Sequence, residues 1–345
     1  MTGDREHFQR APAVGITKQQ VPRCPACDSD RRHLLTSVAE HEYTTTTSDE
    51  FPLVECEGCG AWYLDPRPHV SALDVIYPPN YYAYVQDAKA QSGAKDETGS
   101  LFANVRSWLF KKRVRPIATF MELAPGTTWL DIGCGDGSAL QAMKEAYGAL
   151  GTGLDFSQEA VRHCRRRGFR AYASRFEDFR PEPGEQYDLV HSSHLIEHVE
   201  SPCAYLRKTF ELLKPGGLSV FITPNTATWE ARRFGRHWGG LHVPRHWTML
   251  DPGSAKALAA RVGFEHVETS FSTNGTFWTW TFHSLLRGRW PAALNDAIFP
   301  SDYRFIKNNP WNLARIGLFS LFDAANITLT GQSSNMLVIL RKPLG

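Results

Sequence analysis

The chain has 345 residues, 42% of them hydrophobic, with 38 Lys and Arg against 36 Asp and Glu for a formal net charge of +2. That length and apolar content suffice for one large core carrying a smaller domain or cap. The near-neutral balance argues against a partner held chiefly by phosphate neutralisation, so nucleic acid is not expected. The opening residues, Met1 to His7, are polar and lack a signal-peptide apolar region, and no run reaches bilayer-spanning length. This reads as a cytoplasmic protein, in which seven cysteines are better explained as thiols or metal ligands than as disulfides.

Residues 1–20 read as a flexible tail and 21–70 as a small metal-binding module. Cys24-Pro25-Ala26-Cys27 and Cys56-Glu57-Gly58-Cys59 are two knuckles separated by 28 residues. Each offers two thiolates to a tetrahedral ion, and an all-cysteine site without an open position suits structural zinc. Glu42 to Thr47 is β-branched and strand-like, so the intervening loop is expected to carry its own hairpin. Residues 71–126 form a connecting segment or cap. Its tyrosines Tyr77, Tyr81 and Tyr82 either pack module against main domain or fold over the active site and touch substrate. Gln91–Ser100 is polar and reads as a mobile loop, and Leu101–Ala124 follows a helical pattern with a basic face.

From Thr127 strands and helices alternate at βαβ spacing, which predicts a doubly wound α/β core over 127–272 with a parallel sheet. The apolar run Trp129-Leu130-Asp131-Ile132 breaks into Gly133-Cys134-Gly135-Asp136-Gly137, a strand turning sharply into a helix where backbone can approach a ligand. Asp155 ends the second strand and can accept hydrogen bonds from both ribose hydroxyls of an adenosine. Further strands are expected at Arg170–Ser174, Tyr187–Ser193, Leu218–Thr223 and Phe264–Phe271, and a last one lies within 335–345. His194-x-x-Glu197-His198 matches the inverted zinc-protease pattern, but that motif needs its own helix and a further ligand. Glu197 and His198 are expected to tie a helix to the sheet, with a divalent ion there as a second reading. Residues 273–334, rich in Trp and Phe, read as a helical insert: a lid, a homodimer interface, or a membrane contact.

Taken in order, Asp131–Gly137, Asp155, His194–Val199 and Leu213-Lys214-Pro215-Gly216-Gly217 resemble the successive signatures of class I S-adenosylmethionine (SAM)-dependent methyltransferases. Cys24–Tyr82 is similar to the four-cysteine zinc module of bacterial sugar C-methyltransferases and related small-molecule enzymes of polysaccharide and secondary metabolism. The resemblance implies a Rossmann-like seven-stranded sheet, with Gly133 and Gly135 at the methionine part of SAM, Asp155 on its ribose and Asp131 among the cofactor-binding residues. It places Phe156, Arg175 and Phe176 around the adenine, and Ser192 or Ser193 beneath the sulfonium. Where Arg175 stands the family usually has a carboxylate. A hydroxyl acceptor needs a base, and His194, His242 and His246 are the candidates, with Arg245 beside them as a substrate contact. The implied activity is methyl transfer to a small-molecule hydroxyl. Attack by carbon or nitrogen, an RNA substrate, and a silent SAM-binding protein are the alternatives.

Overall fold

A computed structural model describes residues 15–43, 46–78, 81, 116–301 and 310–344. In the N-terminal region β1 (Lys18–Gln19) pairs with β5 (Arg67–Pro68), and β2 (Arg32–Ala39), β3 (Glu50–Cys56) and β4 (Trp62–Leu64) form an antiparallel meander. The fourth strand of that meander's sheet, β11 (Thr248–Met249), comes from far along the chain and pairs with β4. A short α1 (Leu73–Ile76) follows the module, and α2 (Ile117–Phe120) precedes the main sheet.

The main sheet has seven strands in the order β12-β13-β10-β9-β6-β7-β8. β6 (Thr128–Ile132), β7 (Leu150–Asp155), β8 (Arg170–Ala173), β9 (Tyr187–Ser193) and β10 (Leu213–Pro224) run parallel, while β12 (Glu265–Phe271) and β13 (Asn335–Arg341) add an antiparallel edge. The central strands are buried along most of their length because helices cover both faces. These are α3 (Ser138–Tyr147), α4 (Gln158–Arg166), α5 (Pro202–Leu212) and α7 (Pro252–Val262), whereas α6 (Trp229–Phe234) lies against the N-terminal module, with Ala231 in one cluster with Phe51 and Trp62. Their starts follow from local sequence. Ser157 and Ser201 accept from backbone N–H groups three residues on, and Asp251 with Ser254 closes a capping box ahead of Pro252. Chain direction along the sheet reverses between β6 and β9, and a crevice at that point is where such folds bind ligands.

Between β12 and β13 lie α8 (Gly275–Leu286), α9 (Ala292–Ile298) and α10 (Pro310–Thr330). A Cβ at Gly275 would lie 2.6 Å from the Ile316 carbonyl oxygen, so its glycine allows α8 to approach α10 closely. Phe282 stacks on Phe319 at 5.6 Å, and Trp278 Nε1 donates to Asp323 at 2.7 Å. On the other side α10 leaves Trp311, Leu318, Leu321 and Phe322 exposed. Among the described residues no helix is long and apolar enough to cross a membrane.

Three expectations are corrected. The tail does not run to residue 20: the Ile16 N–H donates to Asp49 and the Val21 N–H to Asp65, which seats β1 on β5. Glu42–Thr47 is not a strand in its described part. It belongs to the β2–β3 connection, whose acidic side chains turn inward to the buried Arg245, and the hairpin is made by flanking residues. Ile196–Val199 is a turn rather than a helix start, because Glu197 is drawn into the core and α5 begins only at Pro202. Tyr82, the Gln91–Ser100 loop and most of Leu101–Ala124 lie outside the described residues.

Candidate active site

The β6–α3 loop is built on left-handed glycines, with φ of 77° at Gly133, 50° at Gly135 and 72° at Gly137. A Cβ at Gly137 would press on Cys164 Sγ at 2.9 Å, so that glycine serves packing. At Gly133 and Gly135 a Cβ would meet no described atom within 4 Å, so the loop presents bare backbone to open space. Asp155 braces it, accepting from the N–H of Gly135 at 3.0 Å and of Ser157 at 2.9 Å. Burial raises its pKa against these bonds. Each carboxylate oxygen keeps a further lone pair for a ligand. Beside it Phe156 is 58% exposed at the strand end. This donor set and open cradle suit the adenosine and methionine parts of SAM.

Not every residue expected at this ligand faces it. Asp131 is buried and bound to His191 Nδ1 at 2.7 Å. Phe176 is turned into the core, 4.9 Å from the Tyr205 ring, because α5 supplies an aromatic partner there; the adenine-flanking position is a correction for this residue. Arg175 is half exposed beside Glu177. Ser192 is buried and accepts from Tyr205 at 2.8 Å, whereas Ser193 is partly exposed at the end of β9.

Next to the carboxyl ends of β9 and β10 a group of imidazoles converges. His194 has φ of 52° and His242 φ of 40°, left-handed conformations uncommon for these residues and typical of functional sites. His194 Nδ1 lies 3.1 Å from Glu197 Oε1, and Thr223 donates to Glu197 Oε2 at 3.0 Å. Burial would raise the Glu197 carboxyl, but the His194 bond and surrounding imidazoles bring it to about 2. His198 meets Tyr77 OH at 2.9 Å, His246 Nδ1 meets the Gly240 carbonyl at 2.8 Å, and the two rings are 4.5 Å apart. Burial lowers His198 to about 4 and puts His242 and His246 well below the ordinary histidine range.

His242 and Arg245 sit deeper still. Both are fully buried. Arg245 donates to Glu40 at 2.7 Å, to the Ile76 carbonyl at 2.9 Å and to His242 Nε2 at 2.9 Å, and pairs with Glu42 at 3.5 Å. His242 Nδ1 lies against Glu42, its ring stacks on Trp280, and Tyr81 OH lies 3.4 Å from Nε2. Burial raises Glu42 to about 7, while at Glu40 Arg245 outweighs burial and holds the carboxyl low. Both nitrogens of His242 and the Arg245 guanidinium are therefore engaged inside the protein. The substrate contact expected of Arg245 is corrected to a tie between the module and the histidine loop. Glu40, Glu42 and Trp280 carried no sequence signal; Glu197 was visible only as part of its motif.

In the module the four sulfurs of Cys24, Cys27, Cys56 and Cys59 lie within 4.8 Å of one another, with Cys24–Cys59 at 3.7 Å and Cys27–Cys56 at 3.5 Å. Tetrahedral bonds of about 2.3 Å place sulfurs about 3.8 Å apart, so the cluster suits zinc. Asp28 and Gly60, with φ of 68° and 81°, follow the two knuckles, and the Gly58 N–H reaches Cys56 Sγ at 3.3 Å.

A doubly wound sheet with a glycine loop and an acid ending the neighbouring strand at its switch point is the arrangement of nucleoside-binding α/β proteins. The profile of the methyltransferase domain matches residues 103–269. Over 171 residues the chain is 32% identical to the ubiquinone biosynthesis O-methyltransferase of Ruegeria pomeroyi, covering 45% of this chain and 67% of that one. With the Bordetella avium enzyme of the same name it shares 35% over 157 residues, covering 41% and 63%. A solved SAM-dependent methyltransferase from Archaeoglobus fulgidus overlays with a TM-score of 0.43 at 19% identity, covering 68% of this chain and 94% of its own. The chain belongs to the SAM-dependent methyltransferases and is an enzyme of that class.

Proposed function

We propose that this enzyme methylates a hydroxyl of a small-molecule acceptor, with His194 as general base. The observation that carries this is the His194–Glu197 pair directly after β9. Its side chain is 27% exposed, against 1% for His242 and 5% for His246. With Nδ1–H donated to a buried carboxylate, His194 keeps Nε2 as the basic atom. SAM supplies a methyl group on a positively charged sulfur. As the acceptor oxygen bonds that carbon, the carbon–sulfur bond breaks, its electron pair goes to sulfur, and the hydroxyl proton goes to Nε2. Gly133 and Gly135 would approach the donor with backbone, Asp155 would bind its ribose and Phe156 flank its base. Ser193 is better placed than Ser192 for the sulfonium.

Oxygen is favoured because the relatives above are named O-methyltransferases. The module and residues 273–334 fall outside the matched domain, so they would set a different acceptor; Tyr77, partly exposed beside His198, favours an aromatic or otherwise apolar one. Structural zinc on the four cysteines would hold the module's wall in place. The test is SAM consumption across hydroxylated acceptors, followed by mapping of the methylated atom. His194→Gln is expected to lower kcat about 10²–10⁴-fold with SAM affinity kept. Wild-type turnover in that variant, or a methyl group on carbon or nitrogen, would overturn the proposal.

A further inference from the structure

Beyond the four sulfurs, one more set of ligand-type atoms converges among the described residues. One atom each from Glu197, His198 and His246 lies within 4.8 Å of the others, and His246 Nε2 is 3.9 Å from Glu197 Oε1. The Gly240 carbonyl, 2.8 Å from His246 Nδ1, requires that nitrogen to carry the proton. In a neutral ring Nε2 then presents a lone pair toward the carboxylate. Two acceptors facing each other in a buried site need something positive between them. Among the described residues no Lys or Arg pairs with Glu197, which is 0% exposed, and Arg245 is turned to Glu40 and Glu42.

We propose that Glu197, His198 and His246 bind a divalent transition-metal cation. Two imidazoles and one carboxylate are a ligand set of Zn²⁺, Fe²⁺ and their neighbours rather than of Mg²⁺ or Ca²⁺. Bonds of about 2.1 Å would bring the ligand atoms to about 3–3.5 Å, a closing of roughly 1 Å. The surrounding contacts are those that orient metal ligands: the Gly240 carbonyl on His246, Tyr77 OH on His198, and His194 and Thr223 on Glu197. Trp247 N–H, donating to the Glu197 carbonyl at 2.8 Å, ties the two ligand-bearing segments together. The site stands at the ends of β9 and β10, beside His194. A cation there would make an acceptor hydroxyl more acidic; that role rests on the proposed methyl transfer, whereas the binding does not.

The full-length protein is loaded with zinc, dialysed, and titrated with Co²⁺. Metal analysis is expected to give one equivalent of cobalt beyond the zinc of the four-cysteine site, with weak visible bands and no thiolate charge transfer. X-ray absorption at the cobalt edge of the wild type, which needs no variant, should show nitrogen and oxygen neighbours only. His246→Gln should lose this equivalent while keeping the cysteine-bound zinc and wild-type far-ultraviolet circular dichroism. No cobalt uptake, sulfur in the cobalt shell, or full uptake in a folded His246→Gln protein would each overturn the site. None of these readouts depends on finding the methyl acceptor.

Discussion

Replacing Arg245 with Met tests whether the module and the histidine loop are one unit. The side chain is fully buried and its guanidinium meets Glu40 at 2.7 Å and Glu42 at 3.5 Å. Removing one partner of such a pair leaves uncompensated buried charge and costs about 3–5 kcal/mol. In a chain of this size that corresponds to a fall in Tm on the order of 10 °C. The pH dependence carries a sign. Glu40, held low in the folded protein, adds stability above its unfolded pKa that is lost as pH falls through its folded one. Glu42, raised from 4.5 to about 7, adds stability below 4.5 that is lost as pH rises toward 7. Without Arg245 both carboxyls follow the second pattern, so the variant should recover stability as pH falls from neutrality. Urea unfolding followed by tryptophan fluorescence at several pH values measures this, and Glu40→Gln in the Arg245→Met background should restore part of the loss. A loss under about 1 kcal/mol, or strictly additive effects of the two substitutions, would refute the coupling.

Three further outcomes are expected. Asp155→Asn weakens the brace on Gly135 and the proposed ribose contact, and should raise the Kd for S-adenosylhomocysteine about 10-fold or more by calorimetry, a loss of about 1.5–3 kcal/mol; unchanged affinity would remove Asp155 from the site. Cys27→Ser should lower zinc content and make the module sensitive to protease, and retention of a full zinc equivalent would show that the cysteines are not its ligands. Gly239→Ala would drive a methyl group into the Phe277 carbonyl and the Trp280 side chain. The expected cost is about 1–3 kcal/mol in urea unfolding, and a neutral result would mean that the histidine loop and α8 are not closely packed.

What could be read from the sequence was chemistry fixed by local spacing. The run from Trp129 to Gly137, the acid at Asp155 and the paired CxxC knuckles each occupy one turn or one strand end. Tyr187–Ser193 was legible to the residue from its place in the βαβ alternation, with Leu189 and Val190 at its centre and the helix-breaking Pro181–Gly184 stretch ahead of it. The inner polar network was not legible. Arg245 and Glu40 are 205 positions apart, and a β-branched stretch beside an acidic one reads locally as an exposed strand. Phe176 sat at the expected place just past the third strand of the core, but its direction depended on Tyr205 in a helix that periodicity alone does not orient. His194 and Glu197 were visible as a motif, whereas the approach of His246 to them required the turn that brings Trp247 N–H to the Glu197 carbonyl.

The pairing of β11 with β4 has a consequence for how this enzyme could diversify. A strand from the catalytic part completes the N-terminal sheet, and Glu40 and Glu42 reach back into the loop just ahead of that strand. The first seventy residues moved into a chain without a matching 239–249 segment would carry an unpaired sheet edge at β4 and two acids without their cation. A recombinant that kept its fold would have to inherit residues 239–249 along with the N-terminal piece. Acceptor choice in this architecture is therefore expected to pass between lineages as two separated stretches of gene that travel together.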